Sequence, residues 1–82
     1  MSTITVTPNK FEAITKAPTV HSAISRSGEY ALVYGSRHKR PAHEVQREYA
    51  AAVLGLRSNS RHFHDKASIR AVFIEAWKAT RA

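Results

Sequence analysis

Apolar residues change their spacing about halfway along this chain. Before Tyr34 two stretches, Ser2–Val6 and about 19–34, read as alternating, and after Pro41 apolar residues recur at intervals of three and four. The first spacing suits a strand, whose side chains alternate between two faces, and the second suits one face of a helix. "STITV" (Ser2–Val6) alternates Ile4 and Val6 and predicts a short strand. "TPNKFEAITKAP" follows, with Thr7 placed to cap and Pro8 at a first helical position, where its missing N–H costs nothing. Phe11 and Ile14 share a face and Pro18 stops continuation, which predicts a short helix over about Pro8–Lys16; a hairpin turning at Pro8–Asn9 is the rival.

The stretch "TVHSAISRSGEYALVYGS" predicts a hairpin over about 19–34. Val20, Ser22 and Ile24 alternate with His21 and Ala23, and "SRSG" supplies turn chemistry with Gly28 free to adopt positive φ. Tyr30, Leu32 and Tyr34 then alternate with Ala31 and Val33, so both faces are largely apolar, as in a central strand.

Beyond Pro41 the period is helical. Val45, Tyr49, Ala52, Val53 and Leu56 form a stripe, and Gly55 is placed to end the element, so a helix is expected over about 41–55. "LRSNSRHFHD" reads as a polar linker, after which Asp65 caps a last helix over about 66–81. Its stripe is Ile69, Val72, Phe73, Ala76, Trp77 and Thr80. The expected fold is therefore α+β, a small N-terminal antiparallel sheet followed by two C-terminal helices. Its expected core holds Ile4, Val6, Ile24, Leu32, Val33, Tyr49, Val53, Ile69, Phe73 and Trp77. Phe73 and Trp77 lie on the one apolar stripe of the last helix, which makes them core residues rather than platforms for stacked bases.

Length sharpens this picture: residues 1–82 suit one domain, of marginal stability. With no cysteine, neither a disulfide framework nor a thiolate metal site can form. The start "MSTITVTPNK" lacks a secretory pattern, and "YAAAVLGL" and "AVFI" are too short to span a bilayer. No membrane partner is expected, and the expected compartment is the cytoplasm, that of the host if the chain is phage-encoded.

Charge adds a direction. The net charge is +7, and residues 36–82 carry +6 of it. A one-sided basic half is the electrostatic footprint of a polyanion. Two clusters carry it: Arg37, His38, Lys39 and Arg40 just before Pro41, and Arg57, Arg61, His62, Lys66 and Arg70 around the linker, with Lys78 and Arg81 at the end of the last helix. A helix N-terminus behind "SRHKRP" offers free N–H groups to a phosphate. A helix from Pro41 to Gly55 is about 20 Å long, so the clusters would form two poles able to meet both edges of a groove.

The expected function is a small basic, non-catalytic module that contacts DNA or RNA through these phosphate-directed cations, as monomer or homodimer. The alternative is a phage or mobile-element type inhibitor, comparable in size and lack of motif to anti-CRISPR proteins, that binds an acidic or nucleic-acid-binding surface of a host protein complex. A tight helix–turn–helix is not expected, because the linker between the last two helices is too long. Neither GxxxxGK[ST] nor GxGxxG occurs, and no cofactor is expected. Among His21, His38, His43, His62 and His64, only "HFH" beside Arg61 and Lys66 offers an acid–base constellation, that of a small His-dependent nuclease. Two histidines from one loop do not make a zinc site, so no metal is expected.

Overall fold

The junction at Pro18–Thr19 decides the architecture. The computed structural model describes residues 8–33, 41–57 and 59–81. Helix α1 runs Pro8–Thr15 and α2 runs Val20–Val33. Between them Lys16 N–H still donates to Glu12 O (2.9 Å) and Ala17 N–H to Ile14 O (3.2 Å), closing the first helix. Thr19 then opens the second. Its hydroxyl accepts from Ser22 N–H (3.1 Å) and its carbonyl from Ala23 N–H (2.9 Å), the geometry of a side-chain N-cap.

The hairpin expected over 19–34 is therefore replaced by one continuous helix, and no strand occurs among the described residues. The domain is all-helical rather than α+β. Gly28, expected at a turn with positive φ, lies inside α2; the positive-φ glycine among the described residues is Gly55, at φ 69°. The physical reason lies in the buried face of α2. Ala23, Ser27, Tyr30 and Ala31 are buried and follow helical spacing, but three of the four are small and one is polar. A helical stripe built from such residues carries little hydropathy. Leu32 and Val33, which sustained the strand-like alternation, are 77% and 63% exposed. The expected strand at Ser2–Val6 and the expected cap at Thr7 lie outside the described residues.

The remaining elements follow their sequence signals. Helix α3 spans Ala42–Leu54 and ends where Gly55 enters the left-handed region, with Leu56 N–H donating to Ala51 O (3.0 Å). A short 3-10 helix, Arg61–Phe63, sits inside the expected linker and is capped by Ser60, whose hydroxyl accepts from His62 N–H (3.3 Å). Helix α4 covers Lys66–Arg81, and Asp65 caps it as expected: its carboxylate accepts from Ser68 N–H at 2.7 Å.

Helices α3 and α4 form the most extensive pairing, α2 lies against α3, and α1 closes over α2 and α4. At the centre Tyr49 of α3 takes Phe11 and Phe73 edge-on, with ring centroids at 5.6 and 5.3 Å. Such edge-to-face pairs add about 0.5–1.5 kcal/mol each beyond the area they bury. Ile14, Ala17, Ile69, Ala76 and Trp77 fill the space around them, and Phe63 seals one end from the 3-10 helix. Of the expected core, Tyr49, Ile69, Phe73 and Trp77 are buried and Ile24 is half-buried. Leu32, Val33 and Val53 are exposed, and Ile4 and Val6 lie outside the described residues.

Two polar features join helices. The Gln46 amide of α3 donates to Ser27 Oγ of α2 (3.1 Å), and that hydroxyl donates to Ile24 O (2.6 Å). From α4, Trp77 Nε1 donates to Ile14 O (3.2 Å), which also accepts from Ala17 N–H, and Arg81 donates to Thr15 O (2.7 Å), so both last carbonyls of α1 take a bond from α4. No helix among the described residues is long and apolar enough to cross a membrane.

Candidate nucleic-acid interface

The cations expected to bind fall into three groups. Arg37, His38, Lys39 and Arg40 lie outside the described residues. Arg57 follows the Gly55 turn, and Arg61 and His62 lie on the 3-10 helix; all three are exposed. Lys66, Arg70, Lys78 and Arg81 are on α4, and all four are exposed.

Helix α4 arranges its cations along one edge. With 3.6 residues per turn, its four cations fall within about 120° of arc. Lys66, Arg70 and Lys78 are separated by multiples of four, so they form a row that drifts slowly around the helix. The ridge spans about 22 Å from Lys66 to Arg81. Glu75, the one carboxylate on α4, lies about 60° beyond Lys78 by the same geometry, at the far edge of this row. In the chain Arg57, Arg61 and His62 precede this row, and the other expected pole, Arg37–Arg40, lies outside the described residues.

Arg81 differs from the others because it is held. Its guanidinium lies over the Trp77 ring, 5.0 Å from the centroid, while one nitrogen donates to Thr15 O. The remaining donors of the fork stay available. The signal was present in the sequence: Trp77 and Arg81 are one helical turn apart. Lys16, by contrast, is engaged with Glu12 at 2.7 Å, and this hydrogen bond and the carboxylate charge raise the lysine pKa. Arg47 of α3 is half-buried, and its Nε is enclosed without a hydrogen-bond acceptor.

Of the histidine constellation, His64 is engaged by local structure. His64 Nδ1 lies 3.0 Å from Arg61 O. A carbonyl only accepts, so Nδ1 carries a proton there. Nε2 lies 3.2 Å from Ser68 Oγ and 3.4 Å from Asp65 Oδ2. Asp65 is itself held below the ordinary carboxylate range, first by the Ser68 backbone N–H and then by the Ser68 hydroxyl. These groups tie the 3-10 helix to the start of α4. Among the described residues no three His, Asp or Glu side chains gather to hold a metal ion.

The start of α3 lacks the side-chain cap that Thr19 and Asp65 give to α2 and α4. Pro41 stands there with φ −66° and ψ 154° and makes no capping bond from its side chain. The four-residue connection between α1 and α2 has the length of a helix–turn–helix turn. The second helix of that unit, however, carries Arg26 offset by Glu29, so its charge does not favour a phosphate-facing role.

No family model, curated protein or solved structure matches this chain.

Proposed function

We propose that this domain is a non-catalytic binding module for DNA or RNA, acting through Arg and Lys side chains directed at phosphates. One observation carries the reading. Arg57, Arg61, Lys66, Arg70 and Lys78 are all exposed, and none is engaged in an ion pair among the described residues. The carboxylates on the same elements are only Asp65, which is occupied as a helix cap, and Glu75. A surface of unneutralised cations on a chain of net charge +7 stores repulsion that a polyanion relieves, with release of its condensed counterions. The uncapped start of α3, directly after Arg37–Arg40 in the chain, is consistent with a further phosphate contact.

Fluorescence anisotropy with labelled duplex DNA, duplex RNA and single strands, at about 50 and 200 mM salt, tests this. The expected result is submicromolar binding at the lower salt that weakens steeply at the higher. Weak, indiscriminate binding that disappears at the higher salt would overturn it. The cations would then be aimed at an acidic protein surface, as in the inhibitor class.

A further inference from the structure

Taking the proposed function as its basis, we infer that α4 is the contact element, and that its Lys66–Arg70–Lys78–Arg81 edge lies along the phosphates of a double-stranded nucleic acid. Two independent features of the structure lead there.

The first is the linear arrangement of the cations. Over about 22 Å a duplex presents roughly six phosphates on one strand, so a row of four cations that winds through about 120° of the helix surface can meet several of them at once. A rigid helix fixes their spacing without ordering a loop. Arg81 is further pre-set by the Trp77 ring beneath it and the Thr15 carbonyl beside it, so little side-chain freedom remains to be lost on binding.

The second is the fate of the aromatic rings. Single-stranded nucleic acids are gripped by exposed aromatic side chains on which unpaired bases stack. Here Phe11, Tyr30, Tyr49, Phe63, Phe73 and Trp77 are all 8% exposed or less. The described surface therefore offers charge without a Phe, Tyr or Trp platform for stacking. That chemistry suits a partner whose bases are already paired and whose outer surface is phosphate, and DNA and RNA duplexes share it.

The experiment compares the full chain with Lys66→Ala/Arg70→Ala/Lys78→Ala and with Arg57→Ala/Arg61→Ala. Arg81 is left intact because it also closes α1. Alanine is the strongest helix former, so the triple variant retains its helix, which circular dichroism verifies. The probes are one mixed-sequence oligonucleotide as duplex DNA, as duplex RNA and as single strands. Binding of either duplex more tightly than the single strands, with a log–log salt slope that falls by about 3 in the triple variant, supports the ridge. Overturning results are a preference for single strands, or a triple variant that binds as well as the parent while Arg57→Ala/Arg61→Ala loses affinity. If the parent chain binds no nucleic acid at all, the proposed function itself fails, an outcome distinct from a ridge placed wrongly on a chain that does bind.

Discussion

The indole nitrogen of Trp77 donates to the carbonyl oxygen of Ile14 across 3.2 Å, joining residues 63 positions apart in the chain. This bond ties the last turn of α1 to the opposite end of the sequence. The same ring supports Arg81, which caps the next carbonyl, that of Thr15. Trp77→Phe keeps most of the apolar volume and removes the donor. Ile14 O retains its bond from Ala17 N–H, so the loss is bounded. The expected cost is about 1–3 kcal/mol in urea unfolding, with an unchanged slope. Because Trp77 is the one tryptophan, circular dichroism is the readout. A variant as stable as the parent would show that the bond contributes nothing net.

Ser27 and Gln46 form the buried polar joint between α2 and α3, at 0% and 6% exposure. Ser27→Ala removes the acceptor and leaves the Gln46 amide enclosed, at an expected cost of about 1–3 kcal/mol. Gln46→Leu should recover part of that loss in the double variant, because both polar partners are then gone. A double-mutant cycle reads the coupling directly. Strict additivity of the two changes would mean that the bond carries no energy.

The helices that could be read from the sequence are those whose buried stripe is built from large apolar residues. Ile69, Phe73 and Trp77 announce α4, and its observed span, Lys66–Arg81, coincides with the expected one. Helix α3 was recognisable from Val45 and Tyr49 and from Gly55, and α1 from Phe11, Ile14 and Pro18. Helix α2 is not, because three of its four buried residues, Ala23, Ser27 and Ala31, are small and only Tyr30 is large, while Leu32 and Val33 face out. The signal for α2 in the sequence is the cap: Thr19 directly after Pro18 is a helix-start residue, and in the structure its hydroxyl accepts from Ser22 N–H.

For the candidate interface, residue type was legible and arrangement was not. The cations could be counted from the sequence, but their alignment depends on α4 turning its Ile69–Phe73–Trp77 stripe inward, which sends Lys66, Arg70 and Lys78 to one flank. Arg81 shows the difference most clearly. By sequence it is one more terminal cation; in the fold it also closes a helix.

Gly28 inside α2 and Gly55 at the end of α3 make opposite predictions. Gly28 lies within α2, and a Cβ built there meets nothing within 4 Å. Gly28→Ala should therefore stabilise the domain by about 0.5–1 kcal/mol, chiefly by restricting the unfolded chain. Gly55 has equally open space but sits at φ 69°, so Gly55→Ala should cost about 1–2 kcal/mol of backbone strain. Thermal melts of the two variants check both signs. Destabilisation by Gly28→Ala would mean that position 28 is not helical.

Asp65 couples the start of α4 to pH. Its carboxylate accepts from Ser68 N–H at 2.7 Å, and this bond to the charged form lowers its pKa from the ordinary 3.8. A group with a depressed folded pKa contributes stability that is fully present above its unfolded pKa and lost as pH falls through the folded value. The contribution should thus be constant from neutrality down to about 4 and decline below that. Asp65→Asn keeps an oxygen for the cap and removes the titration, so its melting temperature should show a shallower acid limb than the parent's. Asp65→Ala removes the cap and should melt lower already at neutral pH. Circular dichroism melts of the three proteins between about pH 7 and 2 separate these effects. If parent and Asp65→Asn declined in parallel on acidification, the acid sensitivity would belong to other carboxylates, and Asp65 would act only as a dipolar cap.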